Sequence, residues 1–155
     1  MKKQLFSILI SFVIIPLLVA QPNLKPSDYD ITKDRLLYTI GYAHLDTEWN
    51  WDYPTTINEH ILHTMLENFA LFEKYPDYVF NFTGSRRYKM MKEYYPQLYP
   101  QVKKYIEQGR WKVSGSSVDE GEVNISSSES LVRQVLYGNE FFKNEFGKES
   151  ADYML

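Results

Sequence analysis

The sequence predicts an α/β fold in which parallel strands alternate with crossover helices. Short apolar runs rich in strand-forming residues alternate with longer segments whose apolar residues recur at helical spacing. This order of elements is that of repeated βα units, which build a parallel sheet. Acidic residues follow two of the runs, and the carboxyl ends of parallel strands are where such folds carry their chemistry.

Three apolar runs are predicted to be strands. The first is RLLYTIGYAH (35–44), the second is YVFNF (78–82), and the third, shorter and amphipathic, is RWKVSG (110–115). The last five residues, ADYML (151–155), have the composition of the start of a fourth strand.

The segment between the first two strands predicts a long helix. In TTINEHILHTMLENFALFEKYP (55–76), apolar side chains recur at the spacing of one helical face. Thr56 followed by Glu59 matches a capping box, and Pro76 is expected to end the helix.

Two further helical segments follow the second and third strands. The segment before Gly109 is predicted to form two helical pieces interrupted by Pro96 and Pro100. The segment after the third strand predicts one helix, with a serine cap before Glu129 and an end at Gly147.

The composition excludes several classes of protein. The 155 residues include no cysteine and carry a formal net charge of -3, without the basic stripe of a nucleic-acid-binding protein. Hydrophobic residues make up 44% and charged residues 24%, as in ordinary globular proteins. Aromatic residues make up 16%; large rings buried in an α/β core explain this better than aromatic platforms for sugars.

Residues 1–20 have the layout of a secretory signal peptide. A basic start (MKK) precedes the apolar stretch LFSILISFVIIPLLVA, and a polar lead-in covers residues 21–35. We expect cleavage after Ala20, with an uncleaved anchor as the alternative. The mature protein is then exported to the periplasm, the cell surface or the medium, without a stable membrane association.

Two clusters of polar residues follow predicted strands. His44 and Asp46 follow the first strand, and Asp119, Glu120 and Glu122 follow the third. Because parallel strands end at the same edge of a sheet, these clusters are expected to converge. An imidazole together with carboxylates is a ligand set that suits Zn²⁺.

Other residues have simpler interpretations. His60 and His63 are spaced as a metal-binding pair on a helix, but no third ligand lies near them in the sequence, and a solvated helix face is favoured. Arg86 and Arg87 could bind an anionic group, yet a basic first turn of a helix is more often on the surface.

Two motifs resemble the glycoside hydrolase family 38 α-mannosidases. GYAHLDTEW (41–49) resembles an Ala-His-x-Asp-x-x-Trp stretch that ends the first strand of the family's catalytic domain. EQGRWKVSGSSVDEGEVNISSSESLVRQVLYGNEFF (107–142) resembles the family's Gly-Arg-Trp strand, acidic residue, Asn, Ser-rich turn and Arg-Gln helix. The resemblance covers most of the chain after the lead-in.

The resemblance implies a fold and an activity. Residues 36–155 would form the amino-terminal βα units of a seven-stranded β/α barrel, incomplete in this chain. The activity implied is zinc-dependent, retaining hydrolysis of terminal α-mannosides from glycans. His44 and Asp46 match two metal ligands, and Trp49 matches the aromatic residue that lines the subsite of the cleaved mannose.

The nucleophile position departs from the family pattern. In the family, the nucleophile is an Asp that is also a metal ligand, and it lies two residues before the Asn of the second motif. Here that Asn is Asn124, so Glu122 stands at the nucleophile position. Asp119 is a second choice, because it fits only with a break in the register. The extra methylene of Glu matters, since a displacement of about 1 Å can lower a rate by roughly 10²-fold.

Three functions remain open at this point. The first is the amino-terminal part of an α-mannosidase that is inactive by itself, because the resemblance places the fourth zinc ligand and the acid/base carboxylate beyond this chain. The second is another metal-dependent carbohydrate-active hydrolase, such as a polysaccharide deacetylase. The third is an inactive, truncated protein that binds sugar.

Overall fold

The computed structural model describes residues 30, 32–35, 37 and 39–148. The chain divides into two units, Met1–Leu37 and Tyr38–Leu155. In the first unit, the Asp30 carboxylate accepts hydrogen bonds from the backbone amide and hydroxyl of Thr32. The predicted signal peptide, two thirds of the lead-in and the predicted fourth strand lie outside the described residues.

Three short parallel strands form a sheet in the second unit. They are β1 (Gly41–Ala43), β2 (Phe80–Phe82) and β3 (Trp111–Val113), in the order β1–β2–β3. The prediction of an α/β fold with parallel strands is therefore confirmed. The strands are shorter than the apolar runs that contain them, because only these residues pair across the described sheet. A seven-stranded barrel remains a prediction.

Helical segments follow each of the three strands, in the predicted alternation. The helical segments are α1 (Tyr53–Thr55), a π-helical turn (Thr56–Ile61), α2 (Leu62–Lys74), α3 (Ser85–Tyr94), α4 (Tyr99–Glu107) and α5 (Ser128–Phe146). Among the described residues, no helix combines the length and the apolar character that a membrane span requires.

The first helical segment begins earlier than predicted. The Asp52 carboxylate accepts a hydrogen bond from the Thr55 amide, and Pro54 lies in the first turn, where its missing N–H removes no helical bond. The predicted capping box at Thr56 is therefore wrong. Thr56 is buried inside the helical segment, and its hydroxyl donates to the Thr47 carbonyl at 2.6 Å.

The later helix boundaries follow the sequence signals closely. α3 and α4 are separate helices, as the prolines predict, although Pro100 lies in the first turn of α4 rather than between them. The Ser127 hydroxyl caps α5 by accepting from the Ser130 amide. Gly147 ends α5 in a left-handed conformation with φ of 65°.

The core is built largely from aromatic rings packed around Trp111. This side chain is fully buried, and its indole N–H donates to the Tyr88 hydroxyl at 3.0 Å. The Tyr88 hydroxyl in turn donates to the Phe82 carbonyl, so both polar groups are satisfied inside the core. Further rings that contact Trp111 belong to Phe69, Phe72, Phe80 and Phe82. The sequence-based interpretation of most aromatic residues as core is consistent with this packing.

Candidate metal centre

The first two predicted ligands lie directly after β1. His44 follows Ala43, the last residue of that strand, and Asp46 comes two residues later. The intervening Leu45 is buried, so its side chain holds the segment against the core while both polar neighbours face the sheet edge. The His44 Nε2 and Asp46 Oδ1 atoms are 3.5 Å apart.

A carboxylate from the segment after β3 joins this pair. The Glu120 Oε2 atom lies 3.2 Å from His44 Nδ1. One ligand atom from each of His44, Asp46 and Glu120 lies within 4.8 Å of the others. The convergence predicted from the sequence is therefore present, and Glu120 is the acidic residue that makes the contact.

Tyr42 also contacts this cluster from within β1. Its hydroxyl donates to Glu120 Oε1 at 3.2 Å and lies 3.3 Å from the Thr83 hydroxyl oxygen. Partial burial, together with the charge of Glu120, raises the pKa of the Tyr42 phenol. The phenol is therefore protonated at neutral pH and serves as a donor that orients Glu120.

Glu122, the predicted nucleophile and metal ligand, has a different set of contacts. Its Oε1 atom accepts hydrogen bonds from the backbone amide and the side-chain amide of Asn124, at 2.9 and 2.8 Å. Its carbonyl accepts from the Ser126 amide, which closes a turn ahead of α5. The side chain is exposed and lies outside the three-residue cluster. Its predicted roles stay predictions.

Asp119, the second choice for the nucleophile, is held by several donors. It accepts from the Thr47 hydroxyl at 2.5 Å and from the Glu120 amide at 2.9 Å. Its Oδ1 atom lies 3.4 Å from Arg87 Nη2. Through its contact with Thr47, Asp119 joins the loop after β1 to the loop after β3. Its carboxylate therefore holds the two loops together.

Trp49 lies near this edge with most of its ring in solvent. The side chain is 69% exposed, and it lines a shallow hollow with Glu48, Asn50, Trp51, Asp52 and Thr55. Trp51 is fixed by a hydrogen bond from its indole N–H to the Thr56 hydroxyl. The exposed indole presents a flat apolar face to solvent.

The family model for the glycosyl hydrolases family 38 N-terminal domain matches residues 35–155. The chain belongs to glycoside hydrolase family 38. The match includes His44, Asp46, Trp49 and all three acidic residues after β3, so the resemblance inferred from the two motifs is confirmed.

Several curated proteins named as α-mannosidases are similar to this chain. Alpha-mannosidase G of Dictyostelium discoideum is 30% identical over 83% of the chain. Human Alpha-mannosidase 2C1 is 29% identical over 77% of the chain, and the Alpha-mannosidase of Saccharomyces cerevisiae is 31% identical over 77%. The chain spans only 11 to 12% of the length of these relatives.

The donor set of the cluster fits the metal dependence that the family implies. One imidazole and two carboxylates offer nitrogen and oxygen ligands of the kind that bind Zn²⁺ with bonds of about 2.0–2.2 Å. The Asp46 carboxylate contacts Nε2 of His44 and the Glu120 carboxylate contacts Nδ1. The three side chains are therefore close enough to share a metal ion but are not arranged around a single point.

The sequence predicts that His60 and His63 lie on a solvated helix face and that Arg86 and Arg87 lie on the surface, and the structure agrees only in part. His63 is exposed on α2, while His60 packs edge-on against Trp51 with ring centroids 4.6 Å apart; neither joins the acidic cluster. The expectation for Arg87 was wrong, because this side chain is buried. Helical spacing does not distinguish the two arginines, since Arg86 lies one turn before Met90 just as Arg87 lies one turn before Met91, and both methionines are buried.

Proposed function

We propose that this chain supplies part of the zinc site and of the mannose subsite of an enzyme that hydrolyses terminal α-mannosides from glycans. The observation that carries the proposal is the convergence of His44, Asp46 and Glu120 at the carboxyl ends of β1 and β3. The family membership and the relatives named as α-mannosidases support the choice of substrate.

Each residue has a proposed role. His44, Asp46 and a carboxylate from residues 119–122 would hold Zn²⁺, which when bound would coordinate sugar hydroxyls and stabilise charge. Trp49 would form a wall beside the mannose ring. Glu122 is the proposed nucleophile, with Asp119 as the second choice.

The proposed reaction follows the retaining pathway. A carboxylate attacks the anomeric carbon, the glycosidic C–O bond breaks, and the leaving oxygen takes a proton from a second carboxylic acid. Water then hydrolyses the glycosyl–enzyme ester with the second group acting as base, which releases mannose and restores the nucleophile. The family resemblance assigns that acid/base group to no residue of this chain, so we propose that the chain alone is inactive.

The metal site is tested by zinc binding. The His44→Ala variant should weaken Zn²⁺ binding by about tenfold or more, because one of three ligands is removed. His63→Ala is the matched control: His63 is an exposed histidine outside the cluster, and its loss should leave the dissociation constant unchanged. Equal affinities for the wild-type chain and His44→Ala would refute the assignment.

The activity is tested on the natural protein by product analysis. Incubation with a p-nitrophenyl α-mannoside should release mannose with retention of the anomeric configuration. Release of acetate from an acetylated polysaccharide would instead favour the deacetylase alternative. If the zinc-loaded natural protein binds the mannoside but releases no mannose from it, the sugar-binding alternative is favoured.

We also propose that the protein is exported, from the composition of residues 1–20 alone. The mass of the protein recovered from the cell envelope or medium tests this. A mature chain that begins at Gln21 is the expected result, and a chain that retains Met1 in the cytoplasm would contradict it.

A further inference from the structure

Arg87 is the one charged side chain that is nearly fully buried among the described residues, with 1% of its surface exposed. It lies in the first turn of α3, after β2. A charged group is rarely buried without partners, because its desolvation is unfavourable unless hydrogen bonds and opposite charges compensate. The partners of this guanidinium therefore indicate why an arginine occupies the position.

The first partner is the backbone between the two candidate ligands. Arg87 Nε donates to the Leu45 carbonyl at 2.6 Å, and Nη2 donates to the same oxygen. Leu45 is the residue between His44 and Asp46. Anchoring its carbonyl therefore restricts the path of the backbone that presents both side chains.

The second set of partners lies after β3 and β2. Arg87 Nη2 is 3.4 Å from Asp119 Oδ1 and 3.7 Å from Glu120 Oε1. Arg87 Nη1 donates to the Thr83 carbonyl, directly after β2. A single guanidinium thus contacts the exits of all three strands.

Gly84 makes room for this group. Its φ of 76° lies in the left-handed region, and a Cβ built there would lie 2.1 Å from Arg87 Nη1. Any larger residue at position 84 would therefore displace the guanidinium as well as strain the backbone.

We propose that Arg87 is a positioning residue that sets the separation between the His44/Asp46 pair and Glu120. The inference rests on the proposed metal site. Beyond the strands, the Ser85 and Arg86 amides donate to the Ser117 and Val118 carbonyls, which ties the loop after β3 to the start of α3. The Arg87 guanidinium then links this region to the Leu45 carbonyl after β1. The positive charge of Arg87 also offsets the mutual repulsion of Asp119 and Glu120, so that Glu120 can lie beside His44 while Asp119 accepts from Thr47.

The test measures Zn²⁺ and Co²⁺ binding by the full 155-residue chain. Arg87→Met removes the charge and all of its hydrogen bonds. Arg87→Lys retains the charge, but one ammonium group cannot reproduce the planar fork of donors. Lys89→Met is the control, since it removes a positive charge from the same helix at an exposed position that faces the Phe141 ring.

We expect Zn²⁺ to bind about 10- to 100-fold more weakly to Arg87→Met, which is the usual effect of losing a group that orients metal ligands. Arg87→Lys should also bind more weakly, and Lys89→Met should match the wild-type chain. The visible absorption bands of bound Co²⁺ should change in both Arg87 variants at saturating metal. A role in folding alone would lower the unfolding temperature and leave these bands unchanged.

The possible results separate this inference from the proposed function. If the wild-type chain binds no Zn²⁺, the metal site is wrong and this inference falls with it. If the wild-type chain binds Zn²⁺ and a folded Arg87→Met variant has the same affinity and Co²⁺ spectrum, only the positioning role is refuted. If Arg87→Met does not fold by circular dichroism, Arg87→Lys decides; if neither variant folds, Arg87 is a folding residue and the proposal is rejected.

Discussion

Two glutamates separated by one residue have different surroundings in this structure. The Glu120 carboxylate faces His44 and Tyr42, whereas the Glu122 carboxylate is engaged by the two nitrogens of Asn124. The sequence register relative to Asn124 selects Glu122 as the ligand, whereas the contacts with His44 select Glu120.

Paired substitutions at these positions separate metal binding from nucleophilic attack. Glu120→Gln should weaken Zn²⁺ binding by roughly tenfold or more, because a neutral amide is a poorer ligand than a carboxylate. Glu122→Gln should leave Zn²⁺ binding within about threefold of wild type and should abolish mannose release by the natural protein. Equilibrium dialysis with Zn²⁺ and a mannoside assay measure the two effects. The reverse order of zinc affinities would show that Glu122 is the ligand.

Helix α5 supports the loop after β3 that carries Asp119, Glu120 and Glu122. The Gln134 carbonyl accepts from the Val118 amide, and the Gln134 side-chain oxygen accepts from the Asp119 amide at 2.9 Å. At Gly138, the helix backbone lies so close to this loop that a Cβ would be 2.0 Å from the Ser116 carbonyl oxygen. The loop that carries Glu120 is therefore packed directly on the helix backbone.

The contact at Gly138 predicts a large effect from one methyl group. Gly138→Ala should destabilise the chain by about 1–3 kcal/mol, because α5 or the loop must move and backbone cannot rotate away as a side chain can. The gain in helix propensity of about 1 kcal/mol only partly offsets this loss. Urea unfolding measures the change, and Glu140→Ala, at an exposed position of the same helix, should lie within about 0.5 kcal/mol of wild type. A Gly138→Ala variant as stable as the wild type would mean that α5 lies farther from the loop than described.

At the scale of the whole molecule, three helices meet at one carboxylate. Glu145 in α5 pairs with Lys92 in α3 at 2.5 Å and with Lys103 in α4 at 3.2 Å. Burial by itself raises the pKa of Glu145, but the hydrogen bonds and charges of the two lysines outweigh burial and hold it below its usual value. Folding is therefore linked to the ionisation of this group.

This linkage predicts a pH-dependent effect of Glu145→Gln. Because the pKa of Glu145 is lower in the folded state than in the unfolded state, its contribution is present above the unfolded value of about 4.3 and is lost as pH falls through the folded value. Both lysines are more than a third exposed, so solvent screening limits the loss to roughly 0.5–1 kcal/mol at pH 7. Urea unfolding at pH 7 and at about pH 3 measures it, and the variant should match wild type at the lower pH. If the variant is still less stable than the wild type at about pH 3, the lost stability comes from packing and not from charge.

The sequence by itself determined the order of the elements and the boundaries of the later helices. The apolar runs placed β1, β2 and β3, the prolines separated α3 from α4, and Ser127 and Gly147 bounded α5. These features depend on the chain within a few residues of each position, where apolar periodicity and backbone preferences act. The motifs around His44 and Asn124 determined the family in the same local way.

The tertiary structure alone decided which acidic residue meets His44 and which arginine is buried. Arg86 and Arg87 are neighbours of identical type, yet the exposed Arg86 stacks on the Tyr53 ring while Arg87 contacts the exits of all three strands. Likewise, Glu120 and Glu122 share a loop but only Glu120 reaches the cluster. Such choices depend on how segments far apart in the chain pack together, because burial, charge pairing and hydrogen-bond partners at the sheet edge are created only when β1, β2 and β3 lie side by side.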